Sequence, residues 1–257
     1  MSRRRYSPIA GLIAVALVAA TFFWTRVYSA SELRDIAWFG MDGWLELTPI
    51  ATTYGPNRFS RNVEEWIIRD FFQDRHNGVF LDVGANHYRD ESNTYHLETQ
   101  LGWSGVAADA LEEFAADYRA HRPRTRYFAR FVSDVTDSMA RLYVPEENKL
   151  VASASFEFTE REGAPGAAIE VPTTTLDALL EQVGLTHIDL LTMDIELSEP
   201  RALRGFDIDR FQPELVCIEA HPDVRQEILD YFARHGYSVV GKYLRADPKN
   251  LYFTPLD

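Results

Sequence analysis

The sequence predicts an α/β protein built on a doubly wound, mostly parallel sheet. Two local observations and one global one carry that prediction. The stretch 79–97 passes from an apolar run, Val-Phe-Leu-Asp-Val, through Gly84-Ala85-Asn86 into a helix candidate. A run that short, interrupted only by Asp82, suits a strand covered on both faces. The residues after it are small or turn-prone, so the backbone can bend sharply and come close to a ligand. Later apolar runs at 105–108, 188–193 and 214–219 alternate with helix-like stretches, as parallel strands joined by crossovers do. Hydrophobic residues make up 46% of the 257, enough to bury a sizeable core.

Taken in order, the chain opens with Arg3, Arg4 and Arg5, and residues 6–25 then carry no charge. An uncharged segment of about 20 residues can span a bilayer as a helix, and Phe22, Phe23 and Trp24 sit where aromatics favour the membrane interface. The competing reading is a cleavable signal peptide, because Ser29 and Ala30 follow the run. Arg26 and Tyr28 make a poor approach to a cleavage site, which favours an uncleaved transmembrane anchor over residues 1–30. The arginines ahead of the span favour an N-terminus in the cytoplasm and the domain across the membrane, but the charge bias is modest and the side of the domain stays open. Residues 31–58, with Gly40, Gly43, Pro49, Gly55 and Pro56, read as a linker, and residues 59–257 as the folded domain.

Residues 59–75 have helical periodicity, with Val63, Trp66, Ile67 and Phe71 on one face. Ser92 or Asn93 can cap the helix that follows the first strand and runs to Leu101. Residues 111–120 suit a further helix and 125–132 a third strand. Residues 142–144 and 153–158 suggest short strands, and Gly163, Pro165 and Gly166 mark a loop. Thr174 or Thr175 can cap a helix over 176–183. Pro200 permits a helix start, 224–235 is an amphipathic helix ended by Gly236, and residues 237–240 and 251–253 close the sheet.

Charge and composition exclude some functions. The net charge of -13 argues against nucleic-acid substrates, which need a basic footprint. The single cysteine, Cys217, lies in an apolar strand and reads as a small core residue. There is no cysteine spacing for a metal site.

The corner at 82–86 narrows the ligand. A dinucleotide fingerprint needs three glycines, and here Asn86 and Tyr88 stand where two of them belong. A nicotinamide oxidoreductase is therefore disfavoured. Asp82 suits a cationic or hydrogen-bond-donating ligand, and S-adenosylmethionine, with its ammonium and sulfonium, fits. Asp109, 27 positions on, ends the second strand, where an acid accepts hydrogen bonds from ribose hydroxyls. The plainer alternative is a buried acid capping its own turn and a surface acid ending a strand.

Five ordered blocks then resemble the FkbM-type S-adenosylmethionine-dependent methyltransferases. They are Asp82-Val83-Gly84-Ala85-Asn86-His87 with Ser92-Asn93-Thr94-Tyr95, Leu101-Gly102-Trp103-Ser104-Gly105, Asp109-Ala110, residues 188–196, and Arg204-Gly205-Phe206 followed by 213–219. The resemblance implies a seven-stranded class I fold and O-methylation of a hydroxyl on a sugar, glycan or secondary metabolite. It implies cofactor contacts from Asp82, Gly84, Ala85, Asn86, Asp109 and Ala110, and an adenine-facing acid near Ser133-Asp134. A hydroxyl acceptor gains from a base that takes its proton late, and Asp194, Glu196 and His87 are the catalytic candidates. On a continuing strand Asp194 and Glu196 would point the same way and could bind a base, a metal or sugar hydroxyls. His221 is a further candidate base, though a lone His after a strand reads more readily as a turn residue. Leu197 stands where the family usually has glycine, which implies a changed turn. That departure suits a second hypothesis, a non-catalytic, membrane-tethered binding or trafficking protein.

Overall fold

The computed structural model describes residues 40–55, 57–145, 149–162 and 167–256. The elements are α1 (Gly40–Tyr54), α2 (Glu64–Phe72), β1 (Val79–Val83), α3 (Tyr95–Leu101), β2 (Ser104–Asp109), α4 (Ala115–His121), β3 (Thr125–Ala129), β4 (Phe131–Val132) and β5 (Met139–Tyr143). They continue with α5 (Phe156–Glu162), β6 (Ala168–Thr174), α6 (Leu176–Val183), β7 (Leu190–Met193), α7 (Glu199–Leu203), α8 (Ile208–Phe211), β8 (Leu215–Glu219), α9 (Arg225–Arg234), β9 (Tyr237–Val239) and β10 (Asn250–Pro255).

Among the described residues, seven strands form the main sheet in the order β3-β2-β1-β7-β8-β10-β9. β1 pairs in parallel with β2 and β7, and β8 with β7; β10 runs antiparallel between β8 and β9. Side-chain alternation divides the strands between two cores. Leu81, Val83, Leu191, Met193, Val216 and Ile218 pack with α6 to α9 on one face. Phe80, Leu190, Leu215 and Cys217 pack with α1 to α3 on the other. Both faces are therefore covered, which is why the strands read as unbroken apolar runs. A second sheet, β4-β6-β5, stands beside the β2 and β3 side.

The structure corrects several expectations. Gly40–Tyr54 of the expected linker is a helix that continues past Pro49, because Leu47, Ile50, Ala51 and Tyr54 bury an apolar face against Trp66 and Ile67. The expected strand 125–132 divides: Arg130 N–H turns back to the Asp109 carbonyl at 2.7 Å, and Phe131–Val132 pair with Thr173–Thr174 instead. Residues 153–158 do not form a strand. Ser153 makes an isolated bridge to Tyr143, and the Ser155 hydroxyl accepts the Phe158 N–H at 3.2 Å to start α5. Among the described residues no helix is long and apolar enough to cross a membrane, and the expected span over residues 6–25 lies outside them.

Candidate active site

The carboxyl ends of β1, β2, β7 and β8 meet at one corner, and two adjoining cavities open there. The first, about 560 Å³, is lined by Gly84, Asn86, Asp109, Ala110, Phe131 and Leu142, among others. The second, about 1030 Å³, is lined by residues that include Asp82, Ala85, Asn93, Glu219, His221 and Lys249. Val83, Gly84, Asp194 and Glu196 line both.

Gly84 makes the corner possible. Its φ is +80°, and a Cβ there would lie 1.8 Å from the Asp194 carbonyl oxygen, so only glycine lets the β1 turn and the β7 turn touch. The turn is fixed from β2: the N–H groups of Gly84 and Ala85 donate to the Ala108 carbonyl at 2.9 and 3.2 Å. Asp109 follows directly. Its Oδ2 accepts the Asn86 N–H at 3.1 Å and its Oδ1 the Leu111 N–H at 2.9 Å. Each oxygen keeps a lone pair for a ligand. Burial pushes this carboxyl up to about 6.

Asp82 is buried, and its Oδ2 accepts the Thr94 hydroxyl at 2.6 Å. Burial raises its pKa to about 6 against the lowering effects of Thr94 and Arg122. Arg122, 1% exposed, is the hub behind this motif. It donates to the Tyr88 carbonyl at 2.8 Å and to the Thr94 hydroxyl at 3.1 Å, and pairs with buried Glu98. Nothing in the sequence analysis singled out Arg122, because an arginine between a helix and a strand reads as surface.

Beyond β7 the chain does not continue as a strand. Glu196 (φ 52°) and Leu197 (φ 74°) are both left-handed, so Asp194 and Glu196 leave the sheet on a tight turn. Leu197 thus keeps the turn that glycine would favour, against the expectation of a changed one. The Ser153 hydroxyl holds the Glu196 carbonyl at 2.6 Å, and Glu199 Oε1 accepts the Ile195 N–H at 2.9 Å. His221, from the end of β8, places Nε2 3.2 Å from Glu196 Oε2 and 3.0 Å from Glu219 Oε2. These two carboxylates raise the imidazole to about 10, so it is a cation at neutral pH. As a residue Asp194 is exposed through the cavities, yet dense surrounding protein and then Glu219 and Glu196 drive its carboxyl well above the usual range. Burial lifts Glu199 to about 7. Burial would raise Glu219 as well, but His221 and Asp194 beside it hold it low.

Of the sequence-derived candidates, Asp82, Gly84, Ala85, Asn86, Asp109, Ala110, Asp194 and Glu196 line these cavities. Three do not. His87 Nδ1 accepts the N–H groups of Arg89 and Asp90 at 3.3 and 3.0 Å and caps its own turn. Ser133 is buried, its N–H on the Thr174 carbonyl at 2.8 Å. Asp134 pairs with Arg201 at 2.9 Å and Arg204 at 3.6 Å. The chain veers off after Ala129, and Phe131 and Val132 reach the first cavity in their place. Lys249 and Asn250 of the second cavity went unnoticed, since only the antiparallel insertion of β10 beside β8 brings them there.

The profile of the family described as "Methyltransferase FkbM domain" matches residues 82–239. No curated protein matches the chain in sequence. Among solved structures, the chain is similar to a SAM-dependent O-methyltransferase from Thermotoga maritima (12% identity, TM-score 0.43, covering 82% of this chain and 71% of that one). It is also similar to an O-methyltransferase from Bacillus cereus in complex with SAH (12%, 0.40, 84% and 90%) and a TehB-like SAM-dependent methyltransferase from Corynebacterium glutamicum (12%, 0.42, 84% and 97%).

Proposed function

The chain belongs to the FkbM methyltransferase family, whose methyl donor is S-adenosylmethionine, and on that premise we propose that it O-methylates a hydroxyl of a sugar, glycan or secondary metabolite. One observation carries this reading: the two cavities meet at Gly84 and Asp194, so a donor in one faces an acceptor in the other.

The first cavity fits the donor's nucleoside. Asp109 keeps free lone pairs for ribose hydroxyls, and Leu111, Phe131 and Leu142 provide apolar walls for a flat base. Asp82, Gly84, Ala85 and Asn93 offer polar contacts to the charged end. When bound, the donor supplies an electrophilic methyl group on a sulfonium, and the protein holds the acceptor in line and excludes water.

The second cavity suits a hydroxyl-rich acceptor. Asn62 and Lys249 offer donors, the carboxylates accept, and Phe158 offers an apolar face to a sugar ring. Asp194 and Glu196 are placed to receive the acceptor's proton. His221, already a cation, holds Glu196 and Glu219 rather than acting as base. Because Leu197 keeps its turn, that substitution lends no weight to a non-catalytic role.

Calorimetric titration of S-adenosylmethionine tests the donor site, with Asp109→Ala weakening a micromolar affinity at least about tenfold. A folded chain that binds none would sink the reading. Transfer of labelled methyl to oligosaccharides or lipid-linked glycans then tests the acceptor. We further propose that residues 6–25 anchor the chain in a membrane, which would suit an envelope acceptor. Extraction of the full chain by alkaline carbonate would count against the anchor.

A further inference from the structure

At the ends of β7 and β8 three carboxylates converge. Asp194, Glu199 and Glu219 each place one oxygen within 4.8 Å of the others. Acidic clusters are common at surfaces, but this one differs in burial. Glu199 is 0% exposed and Glu219 7%. Glu199 Oε1 takes the Ile195 N–H, yet its Oε2 is buried without a hydrogen-bond donor. Glu219 Oε2 faces the His221 ring in an ion pair at 3.0 Å, so the unpartnered oxygen of the set is that of Glu199. A carboxylate oxygen left without a donor in the interior is costly, and such groups call for a partner.

We infer that Asp194, Glu199 and Glu219 form an oxygen-only site for a hard divalent cation, Mg²⁺, Mn²⁺ or Ca²⁺. Carboxylates are the donors such ions prefer, and three of them leave coordination positions open. The opening faces the larger cavity, because Asp194 and Glu219 line it. A cation there draws an acceptor hydroxyl and eases loss of its proton. The proton passes to Glu196, on the same cavity wall, and the oxygen's freed electron pair forms the new O–C bond. The donor's S–C bond breaks with its electrons returning to sulfur. The chemistry rests on the methyl-transfer reading; the cation site does not.

The test is Mn²⁺ titrated into the full chain without S-adenosylmethionine, followed by calorimetry and by the Mn²⁺ paramagnetic resonance signal. One ion per chain is expected, displaced by Mg²⁺, and weakened at least about tenfold in Glu199→Gln and in Glu219→Gln. Glu214→Gln, in the separate group His187, Asp189 and Glu214, should hold Mn²⁺ within about threefold, since it supplies no ligand to this set. Should Glu199→Gln fail to fold, Asp194→Asn, whose side chain opens on the cavity, carries the same expected loss. No uptake at about 10 mM Mn²⁺, above the range of weak carboxylate sites, would overturn the site. So would loss in Glu214→Gln with Glu199→Gln unaffected. Titration of S-adenosylmethionine into the same samples separates the two readings. Donor binding without Mn²⁺ removes the cation site alone; Mn²⁺ binding without donor removes methyl transfer alone.

Discussion

Replacing Arg122 by methionine would test how the corner is held. Methionine keeps most of the stem's volume and removes the guanidinium, so the perturbation is mainly one of charge. Arg122 is 1% exposed and Glu98 5%, and Glu98 also accepts the Arg124 N–H at 2.8 Å. The single change leaves a carboxylate buried without its cation, and removing one partner of such a pair costs about 3–5 kcal/mol. For a chain of this size that is a fall of about 6–20 °C in melting temperature. Chemical denaturation at neutral pH measures the free energy, and calorimetry the midpoint. The second variant, Arg122→Met with Glu98→Gln, removes both charges and should recover at least half of the loss, since the orphaned anion dominates the cost. A single-variant loss under about 1 kcal/mol, or a double variant no better than the single, would refute the reasoning. The same substitution frees Thr94, and with it Asp82, so donor affinity should fall with stability.

Three further outcomes follow from the site. Gly84→Ala adds a methyl 1.8 Å from the Asp194 carbonyl at φ +80°, and should abolish donor binding by calorimetry and cost well over 2 kcal/mol in denaturation. Burial raises Asp82 and Asp109 to about 6, above the unfolded value, so their contribution to stability is full below about pH 4 and lost as pH rises through 6. Asp82→Asn should flatten the stability slope between pH 4 and 7 by up to about 3 kcal/mol, and wild-type donor binding should tighten over that window with release of protons, read by calorimetry in two buffers. Leu197→Gly relieves a left-handed leucine and should leave stability unchanged or raise it by up to about 1 kcal/mol, with Tm as the check; a loss beyond 1 kcal/mol would mean the side chain itself matters.

The fold was legible wherever pattern and topology coincide. Residues 79–83, 104–109 and 215–219 are buried on both faces, so their apolar runs stand out without any partner in view. The N-cap at Thr175, whose hydroxyl accepts the Ala178 N–H at 3.1 Å, was likewise readable from one residue type. The failures share a cause, which is dependence on distant partners. α1 carries Gly43 and Pro49, and its helix is stabilised by the apolar face it buries on α2 rather than by propensity. Arg130 ends β3 through a carbonyl on β2 that no local pattern reveals. The turn at Gly84 was legible because turn chemistry is local. Asp134 and His87 lie outside the two cavities because their geometry depends on where the chain turns next. Glu219 joins Asp194 and Glu199 only because β7 and β8 are neighbours in the sheet.

The position of β10 has a consequence in time. It lies latest among the described strands, yet it inserts between β8 and β9 and brings Lys249 and Asn250 to the second cavity. On the ribosome, β1, β2, β7 and β8 can all pair before it emerges, while β8 waits with an open edge and β9 has no strand to join. The corner at Gly84 is thus assembled early, and the cavity wall that carries Lys249 and Asn250 last. On the methyl-transfer reading proposed above, the donor's site precedes the wall that orients an acceptor, and the order of synthesis withholds activity until the sheet is closed.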